Sequence, residues 1–120
     1  MNEHAVYLRD IIANIERTQK FIAGISYDEF VRDDLRNYGV VRCLEIIGEA
    51  TKRLPDELRN QHPEIPWRSM TGTRDVVAHA YASINLHKVW QTVKYELPEL
   101  IQPIQNILSS LDNTRHAGGS

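Results

Sequence analysis

The run Asp33-Asp34-Leu35-Arg36-Asn37-Tyr38-Gly39-Val40-Val41-Arg42-Cys43-Leu44-Glu45-Ile46-Ile47-Gly48 decides the fold. Its two leading carboxylates sit where the positive end of a helix would begin, which favours initiation there. Leu35, Tyr38, Val41, Leu44, Ile47 and Leu54 recur at three- and four-residue spacing, and Val40, Cys43 and Ile46 widen the stripe. That is the period of an amphipathic helix, and the broad apolar face suggests contact on more than one side. Gly39 and Gly48 each cost about 1 kcal/mol relative to alanine in a helix interior. Close approach of another helix, within the chain or across a dimer, is one reason to carry them; simple weak spots are the other.

The flanking segments repeat the pattern. From about Ala5 to Ile25, the residues Leu8, Ile11, Ile12, Ile15, Ile22 and Ile25 form one face, against Arg9, Asn14, Glu16, Arg17 and Lys20 on the other. Gly24 is a natural stop. Ser26 with Glu29 three residues on matches a capping box that opens a short second helix through about Arg32. Pro55 ends the long helix or starts a short one, Asp56 to His62. Pro63 and Pro66 then force a loop, because two prolines three apart cannot both sit inside a helix. Trp67 reads as a core anchor at the head of the next segment.

Residues 82–85 read as a connection with Asn85 as N-cap. A last long helix begins near Leu86 with Val89, Trp90, Val93 and Leu97 inward. Pro98 and Pro103 kink or restart it, and Leu100, Ile101, Ile104, Ile107, Leu108 and Leu111 resume the stripe. No period-two alternation stands out, so the expected fold is an all-α helical bundle. One domain covers residues 1–111, with a flexible C-terminal tail at 112–120.

Composition narrows the function classes. The chain has 120 residues, 42% hydrophobic and 25% charged, within the range of an ordinary globular domain. Its apolar runs are too short to span a bilayer. The first ten residues carry Glu3, Arg9 and Asp10 and lack the apolar centre of a signal peptide. Cys43 is the single cysteine, which fits a reducing compartment, so the expected location is cytoplasmic. The net charge of −2 counts against a long-range positive field for nucleic acid. Any such role must come from a local site or from charge gathered by oligomerisation.

The chemistry-bearing stretch is Thr73-Arg74-Asp75-Val76-Val77-Ala78-His79-Ala80-Tyr81. On a helix at about 100° per residue, Asp75 and His79 share a face, so the carboxylate can accept the imidazole proton and orient the ring. Arg74 and Tyr81 share another. Arg74 and His79 point roughly 140° apart, so one regular helix does not aim both at a small target. Either the helix ends or bends between them, or a second copy completes the site. The residue types suit a phosphodiester. Arginine matches phosphate oxygens with a planar fork of donors, and histidine moves a proton near neutrality. No metal or other cofactor is expected if the RNA's own 2′-hydroxyl attacks. The histidines also lack zinc spacing: His62, His79 and His87 show no H-E-x-x-H, and Cys43 has no partner. Arg68, Lys88 and Lys94 are either an extended RNA surface or solvated charge.

Taken in order, Cys43 to Ala50, Pro63 to Arg68, Arg74 to Tyr81, Val89-Trp90 and Leu97 to Leu100 resemble the HepT-like HEPN-domain toxin (DUF86) family. The resemblance covers about residues 5–111. It implies a HEPN-type bundle of antiparallel long helices with short connecting helices. It also implies a homodimer that joins two R-x4–6-H motifs into a metal-independent endoribonuclease site, with Arg74 and His79 as the catalytic pair. Family members commonly carry asparagine after the arginine; Asp75 departs from that, either weakening RNA binding or holding His79 more firmly. The R-x4-H-x-Y form implies that Tyr81 accepts AMP from a partner nucleotidyltransferase of the MntA type, which neutralises the toxin. The alternative is a non-catalytic HEPN module that binds nucleotide or that partner.

Overall fold

The computed structural model describes residues 3–78 and 85–119, with side chains described at 3–72 and 85–111. Among the described residues every regular element is helical and none is a strand. Two 20-residue helices, α1 (Glu3–Ile22) and α3 (Asp34–Arg53), form the central pair. Between them lies α2 (Tyr27–Arg32); after them come α4 (Asp56–Asn60) and α5 (Trp67–Ala78). The C-terminal arm is α6 (Leu86–Gln91), a π-helical stretch Thr92–Glu96, a 3-10 stretch Leu97–Leu100 and α7 (Ile101–Gly119). The most extensive packing is α1 on α3, followed by α3 on α5 and α1 on α7, so α3 stands between α1 and α5. None of the described helices is long and apolar enough to cross a membrane.

The core fills the space between these helices. Leu8, Ile11 and Ile15 of α1 meet Val40 and Ile47 of α3, Phe30 of α2 and the buried stripe Val89, Val93, Leu97 and Ile104 of the C-terminal arm. Full burial of one such side chain contributes about 1.5–3 kcal/mol before the entropy of ordering it. The buried polar groups are satisfied locally. The Thr18 and Thr51 hydroxyls donate to the Ile15 and Ile47 carbonyls, and the Asn14 amide donates to the Asp10 carbonyl. Cys43 is buried in this core, and desolvation pushes its thiol above its ordinary value of 9.0 despite Arg17 and Arg42. A neutral, enclosed thiol of this kind is chemically inert.

The turn from α1 to α3 is fixed by side chains. Gly24 adopts φ +75°, the left-handed conformation that ends α1 and favours glycine. The Glu29 N–H donates to the Ser26 hydroxyl at 3.2 Å, as the capping box leads one to expect, and the Arg36 N–H donates to Asp33 at 3.2 Å, which makes Asp33 the N-cap of α3 as well as a charge at its positive end. Arg36 then ties three pieces together. Its Nε donates to Asp33 and its Nη1 to the Phe21 carbonyl, each at 2.8 Å. Asn37, buried beside it, donates to the Phe30 and Val31 carbonyls at the end of α2. Gly39 faces the Phe21 ring so closely that an added Cβ would stand 2.6 Å from a ring carbon. Close approach within the chain is thus the reason for this glycine.

Several boundaries differ from the sequence reading. α1 stops at Ile22, before Gly24, and α4 ends at Asn60 because the chain is already turning toward the proline loop. Leu35 and Tyr38, expected on the apolar stripe of α3, are 87% and 58% exposed. They lie near the start of α3, where Asn37 and Val40 take the inward positions instead. Pro98 lacks the N–H that an α-helix needs, and the backbone answers with a π-helical stretch before it and a 3-10 stretch through it. Pro103 sits in the first turn of α7, where no intrahelical donor is needed. The α7 backbone is helical through Gly119, past Asp112, where the sequence reading ends the last helix.

Gly39→Ala should destabilise the protein by about 1 kcal/mol, overpacking against Phe21 outweighing the helical preference of alanine. In a Phe21→Leu background the same change should become neutral or stabilising. Denaturant titration of the four proteins measures this, and equal costs in both backgrounds would sink the steric account.

Candidate functional site

The motif helix α5 is held at its start. The Met70 N–H donates to the Pro66 carbonyl at 3.1 Å, opening the first turn directly after the proline loop. The buried Trp67 indole Nε1–H is shared between the Arg59 carbonyl at 3.1 Å and the His62 carbonyl at 2.9 Å. One donor thus satisfies the exposed end of α4 and locks it to the head of α5. The expected anchor role of Trp67 is met, with a hydrogen-bonding function that periodicity does not reveal. Met70 is buried with Leu44 and Ile47 in the same core cluster.

Two hollows flank α5. One is a cleft of about 660 Å³ between α5, the Glu64–Pro66 loop and the C-terminal arm. Its floor includes Leu44, Met70, Val89 and Leu97, and its rim carries Glu64, Glu96 and Glu99 against the single cation Lys88. The other is a groove of about 820 Å³ along α4 and the start of α5, lined by Asp56, Arg59, Asn60, Trp67, Arg68 and Thr71 among others. Arg59 pairs with Asp56 there, whereas exposed Arg68 forms no ion pair with a described residue. The Thr71 hydroxyl donates to the Arg68 carbonyl at 2.9 Å, so its proton is engaged.

Two of the four expected site residues fall in the C-terminal half of this helix. Arg74 and Asp75 lie on the α5 backbone, and their side chains are outside those described. His79 and Tyr81 lie outside the described residues, as does the connection at 82–84. By helical register Arg74 follows Thr71 by three positions and Trp67 by seven, which continues the groove edge of α5. Asn85 caps α6 as expected, accepting the Lys88 N–H at 3.1 Å. Lys94 stands 4.9 Å from the centre of the Trp90 ring, a cation–π contact that gives it a structural place. Neither hollow was legible in the sequence, because each gathers residues from separate segments with no shared spacing.

The family model described as ribonuclease HepT-like matches residues 11–107. The chain belongs to the ribonuclease HepT-like family. Among similar proteins is one of Thermococcus cleftensis named as a candidate ribonuclease HepT. It is 42% identical over 97 residues, covering 81% of this chain and 88% of that protein. A Methanocaldococcus jannaschii protein named as a candidate RNase is 36% identical over 106 residues, covering 88% of this chain and 91% of its own length. A Caldanaerobacter subterraneus protein with the same kind of name is 40% identical over 102 residues, covering 85% and 91% respectively. No solved structure matches. The HepT-like match takes in α2 through α6 whole, together with most of α1 and the whole R-x4-H-x-Y stretch.

Trp67→Phe keeps the ring and deletes the shared donor, leaving two carbonyls at the α4–α5 junction without it. It should lower stability by about 1–2 kcal/mol. Chemical denaturation reads the loss, and an unchanged midpoint would show that water replaces the indole at no cost.

Proposed function

We propose that this chain is the toxin of a two-component toxin–antitoxin pair, an endoribonuclease that cuts RNA as a homodimer without a metal. The observation that carries the reading is the R-x4-H-x-Y stretch Arg74, His79 and Tyr81 inside the HepT-like match. The roughly 140° between Arg74 and His79 on a regular helix favours a site completed by a second copy. Arg74 binds the scissile phosphate through its guanidinium fork. One His79 takes the proton from the 2′-hydroxyl, whose oxygen attacks the adjacent phosphorus. The bond from phosphorus to the 5′-oxygen breaks, and the second His79 returns a proton to that leaving oxygen. The products are a 2′,3′-cyclic phosphate and a free 5′-hydroxyl. General acid–base assistance of this kind contributes about 10²–10⁴-fold.

Asp75 supports the reaction by accepting a hydrogen bond from the imidazole N–H of His79 one helical turn on, which orients the ring. Tyr81 shares a helical face with Arg74. Transfer of AMP to its hydroxyl by an MntA-like nucleotidyltransferase places bulk and a negative phosphate beside the arginine, opposing RNA binding. The chain thus carries its reactive pair and its off-switch within eight residues.

Purified protein incubated with single-stranded RNA in the presence of chelator should cleave it, and Arg74→Ala and His79→Ala should each reduce the rate by at least about 100-fold. Cleavage that survives both substitutions, or is absent from the wild type, overturns the catalytic assignment. Intact-mass analysis after incubation with the partner enzyme and ATP should show added AMP on the wild type and none on Tyr81→Phe.

A further inference from the structure

Of three cations that the sequence leaves undecided, the structure gives Lys94 to Trp90, sets Lys88 on an acidic rim and leaves Arg68 free of ion pairs with described residues. The two hollows beside α5 therefore differ in sign. The cleft sets three carboxylates, Glu64, Glu96 and Glu99, against Lys88. The groove has Arg59 paired with Asp56 and a second guanidinium, Arg68, that has no ion pair with a described residue. A polyanion is repelled by the first and attracted by the second. This local contrast matters more in a chain of net charge −2, which offers no general positive field.

We propose that the α4–α5 groove is the track for the RNA strand beside the cut, with Arg68 binding a backbone phosphate that flanks the scissile one. This inference rests on the ribonuclease reading and adds the side of α5 on which the strand runs. Arg68 precedes Arg74 by six positions, about 9 Å along the helix axis and about 120° around it, so the two arginines serve different phosphates of a strand that passes obliquely across α5. Within the groove the available donors are the Arg68 guanidinium and the exposed Asn60 amide, since the Thr71 proton is engaged. These contacts read the backbone and carry no base preference.

The test uses the full chain and a fluorescent single-stranded RNA, 2′-O-methylated throughout so that binding is read without cleavage. Arg68→Gln should weaken binding about tenfold near 50 mM salt and make the slope of log affinity against log salt shallower by about 0.7. Arg68→Lys should restore most of that slope, and Lys88→Gln should stay within about twofold of wild type. An unchanged Arg68→Gln, a loss as large in Lys88→Gln, or no binding by wild type overturns the proposal. Cleavage of unmodified RNA by the same proteins separates the two readings. If the binding pattern holds but nothing is cut, the catalytic assignment fails and the track stands. If wild type cuts and Arg68→Gln binds and cuts equally well, the track fails alone.

Discussion

α1 and α3 come together so closely at Phe21 and Gly39 that a methyl group does not fit between them. Everything downstream inherits this constraint. With α1 and α3 in register, Arg36 reaches the last carbonyls of α1 while gripping Asp33, and Asn37 closes the end of α2. The opposite side of α3 is then free to receive α5, and the C-terminal arm packs back over α1. The motif helix is therefore carried by the central helix pair, through its packing on α3.

Local chemistry was the most legible part of the chain. Gly24, Ser26, Asp33 and Asn85 each act at a helix end for the reason their residue type suggests, and Pro63 and Pro66 do break the chain. Periodicity failed near the start of α3. Leu35 and Tyr38 keep the right spacing but stand on the side of α3 away from Asn37 and Val40, which are the residues buried there. Around Pro98 the stripe Val93, Leu97, Leu100 suggests simple interruption. The backbone instead underwinds and then overwinds, keeping Val93 and Leu97 buried on the approach to the proline.

The family was legible: the ordered stretches that resemble it lie within the match over residues 11–107. Arg74, His79 and Tyr81 are candidates by residue type and spacing, suited to phosphate chemistry. The surroundings of the helix were not legible. The acidic rim of Glu64, Glu96 and Glu99 joins residues more than 30 positions apart, and the loneliness of Arg68 emerges only once Arg59 has found Asp56. Charge balance over the whole chain conceals both, because opposite local fields cancel in a sum.

Trp67 has one more consequence. Its shared hydrogen bond at the α4 end makes it an angular datum: it sets the rotational zero from which every later position of α5 is counted. Arg74 lies seven positions on, within about 20° of that zero. Removing one residue between them would leave a helix of the same propensity, yet turn the arginine position about 100° toward the acidic cleft. The interval from Trp67 to Arg74 is thus a matter of phase as well as of length: it fixes the side of α5 on which the arginine position stands.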